Sequence, residues 1–445
     1  INNGQANIVI GTRSAIFAPF KRLGLIIVED EEDMSYKQEQ KPMYQVNEVA
    51  ARRAGFNQAA VILGSSSPSV ESYWRGQTGR YELIELPRPV DGKALPAVKI
   101  VDIKEEILRK NRGPFYRKLK EAIIQRLEKG EQTVIFLNRR GWANFVVCQK
   151  CGLVLKCPNC DVSLSYHLDV KQLECHYCGY KQRMTDPNNL CPACKDPLIS
   201  YLGKGTQRIE NQLAKLFPQI KIIRLDLDTV KKETPETIIN KFNKGKADVL
   251  IATQIILRTG FLPRVSLLGV VLADTVLNIP DFHSAEHAYA LFTRLVNLIR
   301  KNNLPAEVII QTYNPSHYVM TAIKAHNYRG FYDEEINFRK ELNYPPFGHM
   351  INIIVKGKEE KKVATAAGEL GEAFKTTFSR SKSKVSVLGP APAPLVKLRS
   401  FYRWQILLKG EDADLMREAV RRVLADEKLP RGLKVSLDVD PLDIS

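Results

Sequence analysis

Apolar residues in the first part of the chain come in short runs, Ile8-Val9-Ile10, Leu25-Ile26-Ile27-Val28 and Val61-Ile62-Leu63, each followed by a polar turn. Runs of this length without alternation suit strands buried on both faces, as in a parallel sheet. Residues 46–54 carry a helical pattern between them. Residues 88–115 are rich in Pro, Gly and charge, which predicts a connection between domains. A helix over 119–127 and a strand over 133–137 then open a second α/β unit. The pattern is interrupted and resumes with strands at 220–225, 249–251 and 267–272, a helix over 284–296 and a closing strand at 308–311. Residues 315–341 read as helical up to Tyr344-Pro345-Pro346-Phe347. Beyond them, strands at 350–355, 385–388, 404–408 and 433–439 alternate with helices near 361–378 and 411–425, which predicts a separate α+β domain.

The interruption carries the most specific chemistry. All eight cysteines lie in it, as Cys148-x2-Cys151, Cys157-x2-Cys160, Cys175-x2-Cys178 and Cys191-x2-Cys194. Each knuckle puts two sulfurs on one turn, half of a tetrahedron, so four knuckles suffice for two four-thiolate zinc sites. Such sites keep no open coordination position, and the predicted zinc is structural. A disulfide scaffold suits small secreted domains, not a chain of 445 residues with a single cysteine cluster. Between the knuckles, basic residues (Lys150, Lys156, Lys171, Lys181, Arg183) mix with aromatic ones such as Tyr166, Tyr177 and Tyr180.

Charge narrows the partner. Lys+Arg number 66 against 49 Asp+Glu, a net charge of +17, which favours a polyanion and above all nucleic acid. No run reaches the ~20 apolar residues of a membrane span. Ile1-Asn2-Asn3-Gly4-Gln5 does not read as an export signal. With reduced cysteines, this predicts a cytoplasmic, nucleoid-associated protein with no membrane partner.

Several stretches, in order, carry a family resemblance. They are Gly11-Thr12-Arg13-Ser14-Ala15-Ile16-Phe17-Ala18-Pro19, Ser35-Tyr36-Lys37-Gln38, Leu63-Gly64-Ser65-Ser66-Ser67-Pro68-Ser69, and Phe136-Leu137-Asn138-Arg139-Arg140-Gly141 before the cysteines. Gly203-Lys204-Gly205-Thr206 follows the cysteines, then Pro280-Asp281-Phe282, Gly389-Pro390-Ala391-Pro392-Ala393-Pro394, Tyr402-Arg403-Trp404 and Asp438-Val439-Asp440-Pro441. Together they resemble the primosomal protein N′ family of superfamily 2 DNA helicases, along essentially the whole chain, starting partway into the first helicase lobe.

The resemblance implies two RecA-like helicase lobes, the first incomplete, with a two-zinc insertion in the second and a C-terminal α+β domain. By residue, it implies 1–110 as the C-terminal part of lobe 1, 111–147 as the start of lobe 2, 148–195 as the zinc insertion, 196–345 as the rest of lobe 2, and 346–445 as a DNA-binding domain. It implies that Cys148, Cys151, Cys191 and Cys194 share one ion and Cys157, Cys160, Cys175 and Cys178 the other, a pairing that spacing alone leaves open. Arg13, Tyr36, Lys37, Arg139, Arg140, Lys397, Arg399, Tyr402 and Arg403 are candidate DNA contacts, cations for phosphates and aromatics for unpaired bases. The implied partners are branched and single-stranded DNA, other primosome proteins, single-strand binding protein and the replicative helicase loader.

Departures from the family pattern fall where phosphoryl transfer needs a phosphate loop, a Mg²⁺-holding acid, a base and an arginine finger. Gly-x4-Gly-Lys-[Ser/Thr] does not occur in this sequence and would lie before residue 1. The second motif, Asp-Glu-Glu-His in the family, aligns without a gap on Glu29-Asp30-Glu31-Glu32, so the catalytic candidates Glu29 and Asp30 exchange acid lengths and a Glu replaces the His. The fifth motif reads Ala252-Thr253-Gln254-Ile255-Ile256-Leu257-Arg258-Thr259-Gly260, and Arg294-Leu295-Val296-Asn297-Leu298-Ile299-Arg300-Lys301 stands where the sixth carries arginines and glycines. The first motif arginine falls on Leu298, with Arg300 two positions on. The expectation is a replication restart protein that binds abandoned or branched forks and promotes primosome assembly, with little or no helicase activity and little use of ATP and Mg²⁺. The competing readings are an active ATP-dependent 3′–5′ DNA helicase and a stand-alone zinc-ribbon RNA-binding protein.

Overall fold

The computed structural model describes residues 1–445 except 2–3, 39, 90, 112, 139–144, 168–169, 185–189, 197, 202–204, 260–261, 301–303, 381–382, 428 and 445. Its largest sheet has six parallel strands in the order Ile222–Leu225, Val249–Ala252, Gln132–Phe136, Val265–Val270, Glu307–Thr312 and Ala97–Asp102. The unbroken apolar runs are explained by cover on both faces. Ile135, Ile251, Leu267 and Ile309 pack on one side with Leu119 and Ile123 of the helix Arg117–Glu128 and Ile209 and Leu213 of the helix Thr206–Leu216. Val134, Leu250, Leu268 and Val308 pack on the other with Phe292 and Leu295 of the helix Ser284–Arg300. Gly269 lets the helix Arg117–Glu128 close on the first of these faces, since a Cβ there would lie 2.7 Å from a methyl of Leu119.

Two expectations shift at the edge of this sheet. Glu307–Thr312 is not the closing strand; Ala97–Asp102 pairs outside it, from within the segment expected to be only a connection. The second lobe's sheet therefore takes a strand from before residue 111. Residues 97–102 keep apolar side chains at Val98, Ile100 and Val101, but the prolines around them mask so short a pattern. The helical stretch 315–341 is two helices, Tyr318–Ala325 and Tyr328–Glu341, broken at His326 with φ 51°.

In the first lobe Leu25–Glu29 and Ala60–Gly64 form a parallel pair. The helix Val46–Asn57 covers one face, where Val46 and Ala50 meet Val28, Ile26 and Val61. The run 8–10 is not a strand, and Ile10 is 96% exposed. An apolar run becomes a strand only where a neighbouring edge receives its hydrogen bonds, and no described strand lies beside this one.

The last domain is a four-stranded antiparallel sheet, ordered Ser386–Leu398, Phe401–Gly410, His349–Gly357 and Lys434–Val439. Helices Glu360–Arg380 and Ala413–Asp426 cover it through Phe374, Leu370, Met416 and Val420. Ser386–Leu398 runs through the Pro-Ala-Pro-Ala-Pro stretch, which the expected strand stopped short of. It lies on the sheet edge, where a missing N–H breaks no ladder on its open side.

Candidate functional site

The four cysteine knuckles share one backbone design. In each, the N–H of the first cysteine donates to the carbonyl five residues on, and its carbonyl accepts from the N–H four residues on. The pairs are Cys148 with Leu153 and Gly152, Cys157 with Val162 and Asp161, Cys175 with Tyr180 and Gly179, and Cys191 with Asp196 and Lys195. The fourth residue after the first cysteine takes a positive φ each time: 77° at Gly152, 54° at Asp161, 77° at Gly179 and 61° at Lys195. That left-handed turn points both sulfurs of a knuckle the same way. Glycine takes it freely, whereas Asp161 and Lys195 carry its steric cost.

The knuckles converge into two quartets, Cys148, Cys151, Cys191 and Cys194, and Cys157, Cys160, Cys175 and Cys178. This is the interleaved pairing that the resemblance implies. Within them Sγ atoms lie 3.4 Å apart (Cys148 and Cys194), 3.6 Å (Cys151 and Cys191) and 3.6 Å (Cys157 and Cys178). A disulfide would need ~2.05 Å, while four sulfurs at Zn–S ~2.3 Å sit about 3.8 Å from one another. The donors therefore fit two closed, structural zinc ions. Second-layer contacts hold the ligand turns: Asn159 Nδ2 lies 3.7 Å from Cys178 Sγ, and Lys150 pairs with Asp196 at 3.2 Å.

The cleft between the lobes holds the second-motif acids. Asp30 follows the strand end at Glu29 with φ 48°. Glu31 is enclosed: Oε1 accepts from Ser69 N at 2.6 Å, and Oε2 from Ser72 Oγ at 3.0 Å and Asn47 Nδ2 at 2.7 Å. Burial pushes its pKa up, against the hydrogen bonds from Ser69 and Ser72. Glu32, in the place of the family's His, accepts from Ser65 Oγ at 2.6 Å. Burial raises its pKa to about 7, with Asp30 and Glu31 adding repulsion and Ser65 opposing. From the second lobe, Arg294 reaches Asp30 at 3.2 Å and Asp33 at 2.9 Å. Leu298 packs toward the core, and Arg300 pairs with Asp91 at 3.0 Å.

A second cross-lobe joint was not legible in the sequence. Arg339, its side chain 2% exposed, holds Glu71 of the first lobe at 2.7 Å together with Glu286 and Glu335 of the second. Burial opposes its charge, yet the three carboxylates keep its pKa well above the ordinary value. Glu286 also accepts from Val70 N at 3.0 Å, and Tyr328 Oη donates to the Pro68 carbonyl at 2.7 Å. Nothing marks Arg339 among the charges of 333–341, although Glu71 lies just after the third-motif stretch.

The candidate DNA residues divide. Arg13, Tyr36 and Lys37 come together, but inward: Arg13 Nη1 donates to the carbonyls of Ser35 at 2.9 Å and Lys37 at 2.7 Å, and Tyr36 Oη donates to the Glu29 carbonyl at 2.8 Å. The Lys37 ammonium, predicted to meet phosphate, is taken up by the C-terminal domain, at 2.9 Å from Asp438 and 2.9 Å from the Val439 carbonyl. Its side chain is only 10% exposed, so a phosphate contact needs this joint to open. Lys397 and exposed Arg399 lie at the tip of the hairpin between Ser386–Leu398 and Phe401–Gly410, with Lys397 Nζ 4.7 Å from the Tyr402 ring centre. Arg403 lies on the same hairpin, opposite Lys356. Arg139, Arg140, Gly203, Lys204, Gly260 and Lys301 lie outside the described residues.

Two lobes, a paired four-thiolate ribbon set into the second, and a terminal antiparallel domain define a helicase-like protein with a zinc-ribbon insertion. The Primosomal protein N C-terminal domain matches residues 340–442, and the PriA DNA helicase Cys-rich region (CRR) domain matches residues 157–183. Replication restart protein PriA of Bacillus subtilis (strain 168) is 39% identical over 445 residues, covering 99% of this chain and 54% of that protein. Its counterpart in Rickettsia conorii (strain ATCC VR-613 / Malish 7) is 32% identical over 445 residues, covering 99% of this chain and 67% of that protein. The chain belongs to the PriA family of replication restart proteins. It spans about half the length of the first of these relatives. A structure of RecG bound to a three-way DNA junction is 12% identical, covers 72% of this chain and 30% of that one, and has a TM-score of 0.34, too distant to describe this fold. A match along nearly the whole chain also sets aside the stand-alone RNA-binding ribbon. Among the described residues no helix is long and apolar enough to cross a membrane.

Proposed function

We propose that this chain acts as a restart factor that binds abandoned or branched forks and promotes primosome assembly, with little or no helicase activity of its own. The observation that carries this reading is the position of Arg294, 3.2 Å from Asp30 and 2.9 Å from Asp33 across the lobe interface. A working motor keeps its arginine for the γ-phosphate and its acids for Mg²⁺ and the attacking water. Here an arginine at the edge of the altered sixth motif neutralises an acid of the altered second motif, and Glu31 is enclosed by donors. Removing an arginine finger alone lowers rates by ~10³–10⁵ in comparable enzymes. DNA is the partner that a net charge of +17 favours. Arg13, Tyr36, Lys37, Arg139, Arg140 and Arg403 are the contacts proposed for it, and single-strand binding protein, other primosome proteins and the helicase loader are the proposed protein partners.

The deciding experiment measures DNA-stimulated ATP turnover and 3′–5′ unwinding by the intact protein beside a Glu29→Ala, Asp30→Ala double variant. Equal, near-background rates with preserved fork binding support the reading. Turnover well above the double variant refutes it in favour of an active helicase.

A further inference from the structure

The two zinc sites sit in unlike surroundings. The outer quartet has Cys148 and Cys191 buried, Cys194 half-buried and Cys151 exposed, and its first knuckle packs on the second lobe, where a Cβ on Gly152 would lie 2.7 Å from the Tyr313 carbonyl. In the inner quartet Cys157, Cys160 and Cys175 are buried in one apolar core with Tyr177, Tyr344, Met350, Leu407 and Ile444. That core draws on three parts of the molecule: the ribbon, the end of the second lobe and the C-terminal sheet.

Hydrogen bonds follow the same course. His176, next to the ligand Cys175, meets the Pro392 carbonyl through Nδ1 at 2.9 Å, and its own carbonyl accepts from Gln405 Nε2 at 2.9 Å. Tyr177 Oη accepts from Phe282 N at 3.2 Å, and Tyr344 Oη donates to the Cys160 carbonyl at 3.1 Å. Beside this core Asp281 Oδ2 accepts from Ile444 N at 3.0 Å, tying the end of the C-terminal domain to the second lobe. Gly179 allows a close approach, since a Cβ there would lie 3.3 Å from the Pro390 carbonyl.

We infer that the inner zinc is the keystone of the joint between the second lobe and the C-terminal domain, whereas the outer zinc is not. A ribbon this small has too little core to stay folded without its ion, so metal binding supplies its folding free energy. When Cys157, Cys160, Cys175 and Cys178 lose their ion, His176 and Tyr177 lose their positions, and the joint loses its middle layer. The coupling is reciprocal: contacts that hold the C-terminal sheet on His176 also hold the ligands on the metal. Loosening the joint from the far side therefore speeds loss of the inner ion and leaves the outer one unchanged.

The test uses the whole zinc-loaded chain. Zinc release to pyridylazoresorcinol is followed while amide hydrogen exchange is read by mass spectrometry at 386–410 and 434–444. Two phases are expected: a fast one that leaves these segments protected, and a slow one that exposes them. Cys194→Ser is expected to retain one zinc with wild-type protection. Gln405→Leu, which touches no ligand, is expected to speed the slow phase at least about fivefold and leave the fast phase unchanged; Asp281→Asn gives a second route to the same readout. Release of both ions in one phase, protection at 386–410 that survives loss of both, or slow phases at the wild-type rate in both variants overturns the inference.

Discussion

The Lys37 ammonium and the Asp438 carboxylate lie 2.9 Å apart, and together they fasten the first lobe to the C-terminal domain although 401 positions separate them in the chain. Both side chains are largely covered, at 10% and 20% exposure, so the pair escapes most of the screening that makes surface bridges weak. The lysine also donates to the Val439 and Asp440 carbonyls, at 2.9 and 3.0 Å.

A double-mutant cycle isolates that link. Lys37→Met and Asp438→Asn are each expected to lower stability, with a coupling of about 1–2 kcal/mol by urea unfolding. Additive losses would mean that the pair contributes nothing beyond its separate contacts.

Arg339 is expected to be the least tolerant position of the lobe interface. Arg339→Met leaves Glu71, Glu286 and Glu335 with no cation, which costs about 3–5 kcal/mol. Arg339→Lys is expected to recover only part of this, because an ammonium cannot fork between three carboxylates. Chemical denaturation of both variants checks the order.

The sign of one pH effect follows from Glu32. Its pKa is 4.5 in the unfolded reference and about 7 in the folded chain, chiefly through burial. Between these values the folded state binds the extra proton, so this residue's contribution is fully present below 4.5, declines as pH rises, and is gone above about 7. Asp33 acts the other way: Ser35 and Arg294 outweigh its burial and depress its pKa, so its contribution is present above 3.8 and lost as pH falls through the depressed value. Glu32→Gln is expected to flatten the decline between pH 5 and 7 in denaturation midpoints; a variant that tracks the wild type through that window would remove Glu32 as its cause.

Metal content separates the quartets. The intact chain is expected to hold two zinc ions, and Cys157→Ser one. Elemental analysis of both proteins reads this directly.

On the hairpin, Arg399→Ala and Arg403→Ala are each expected to weaken forked-DNA binding without altering preference between sequences. Each lost phosphate contact lowers the slope of log affinity against log salt by about 0.7–0.9. Fluorescence anisotropy across a salt series measures it.

Much of the fold was readable because the strands are short unbroken apolar runs, although only the second lobe's are covered on both faces; in the first lobe Ile27 and Ile62 stand 60% and 50% exposed on the face away from the helix. The run at 8–10 misled for the same reason: composition registers apolarity, not the presence of a neighbouring edge. Ala97–Asp102 was missed because an edge strand needs fewer apolar residues, and prolines surround this one. At the metal sites the spacing of four knuckles named the ligands, since each turn is local. The partner of each knuckle is not local, and only the resemblance supplied it.

The sequence by itself determined what is set within a few residues: the ligating turns, the parallel strands, the basic charge and the altered acids at 29–32. Tertiary structure alone decided which distant groups meet. It turned Lys37 from a surface cation into a clasp on Asp438, placed Arg294 against Asp30 and Asp33, and enclosed Arg339 among three carboxylates. The physical reason is that an ion pair depends on distance and burial, and for residues hundreds of positions apart both are set by how whole layers pack.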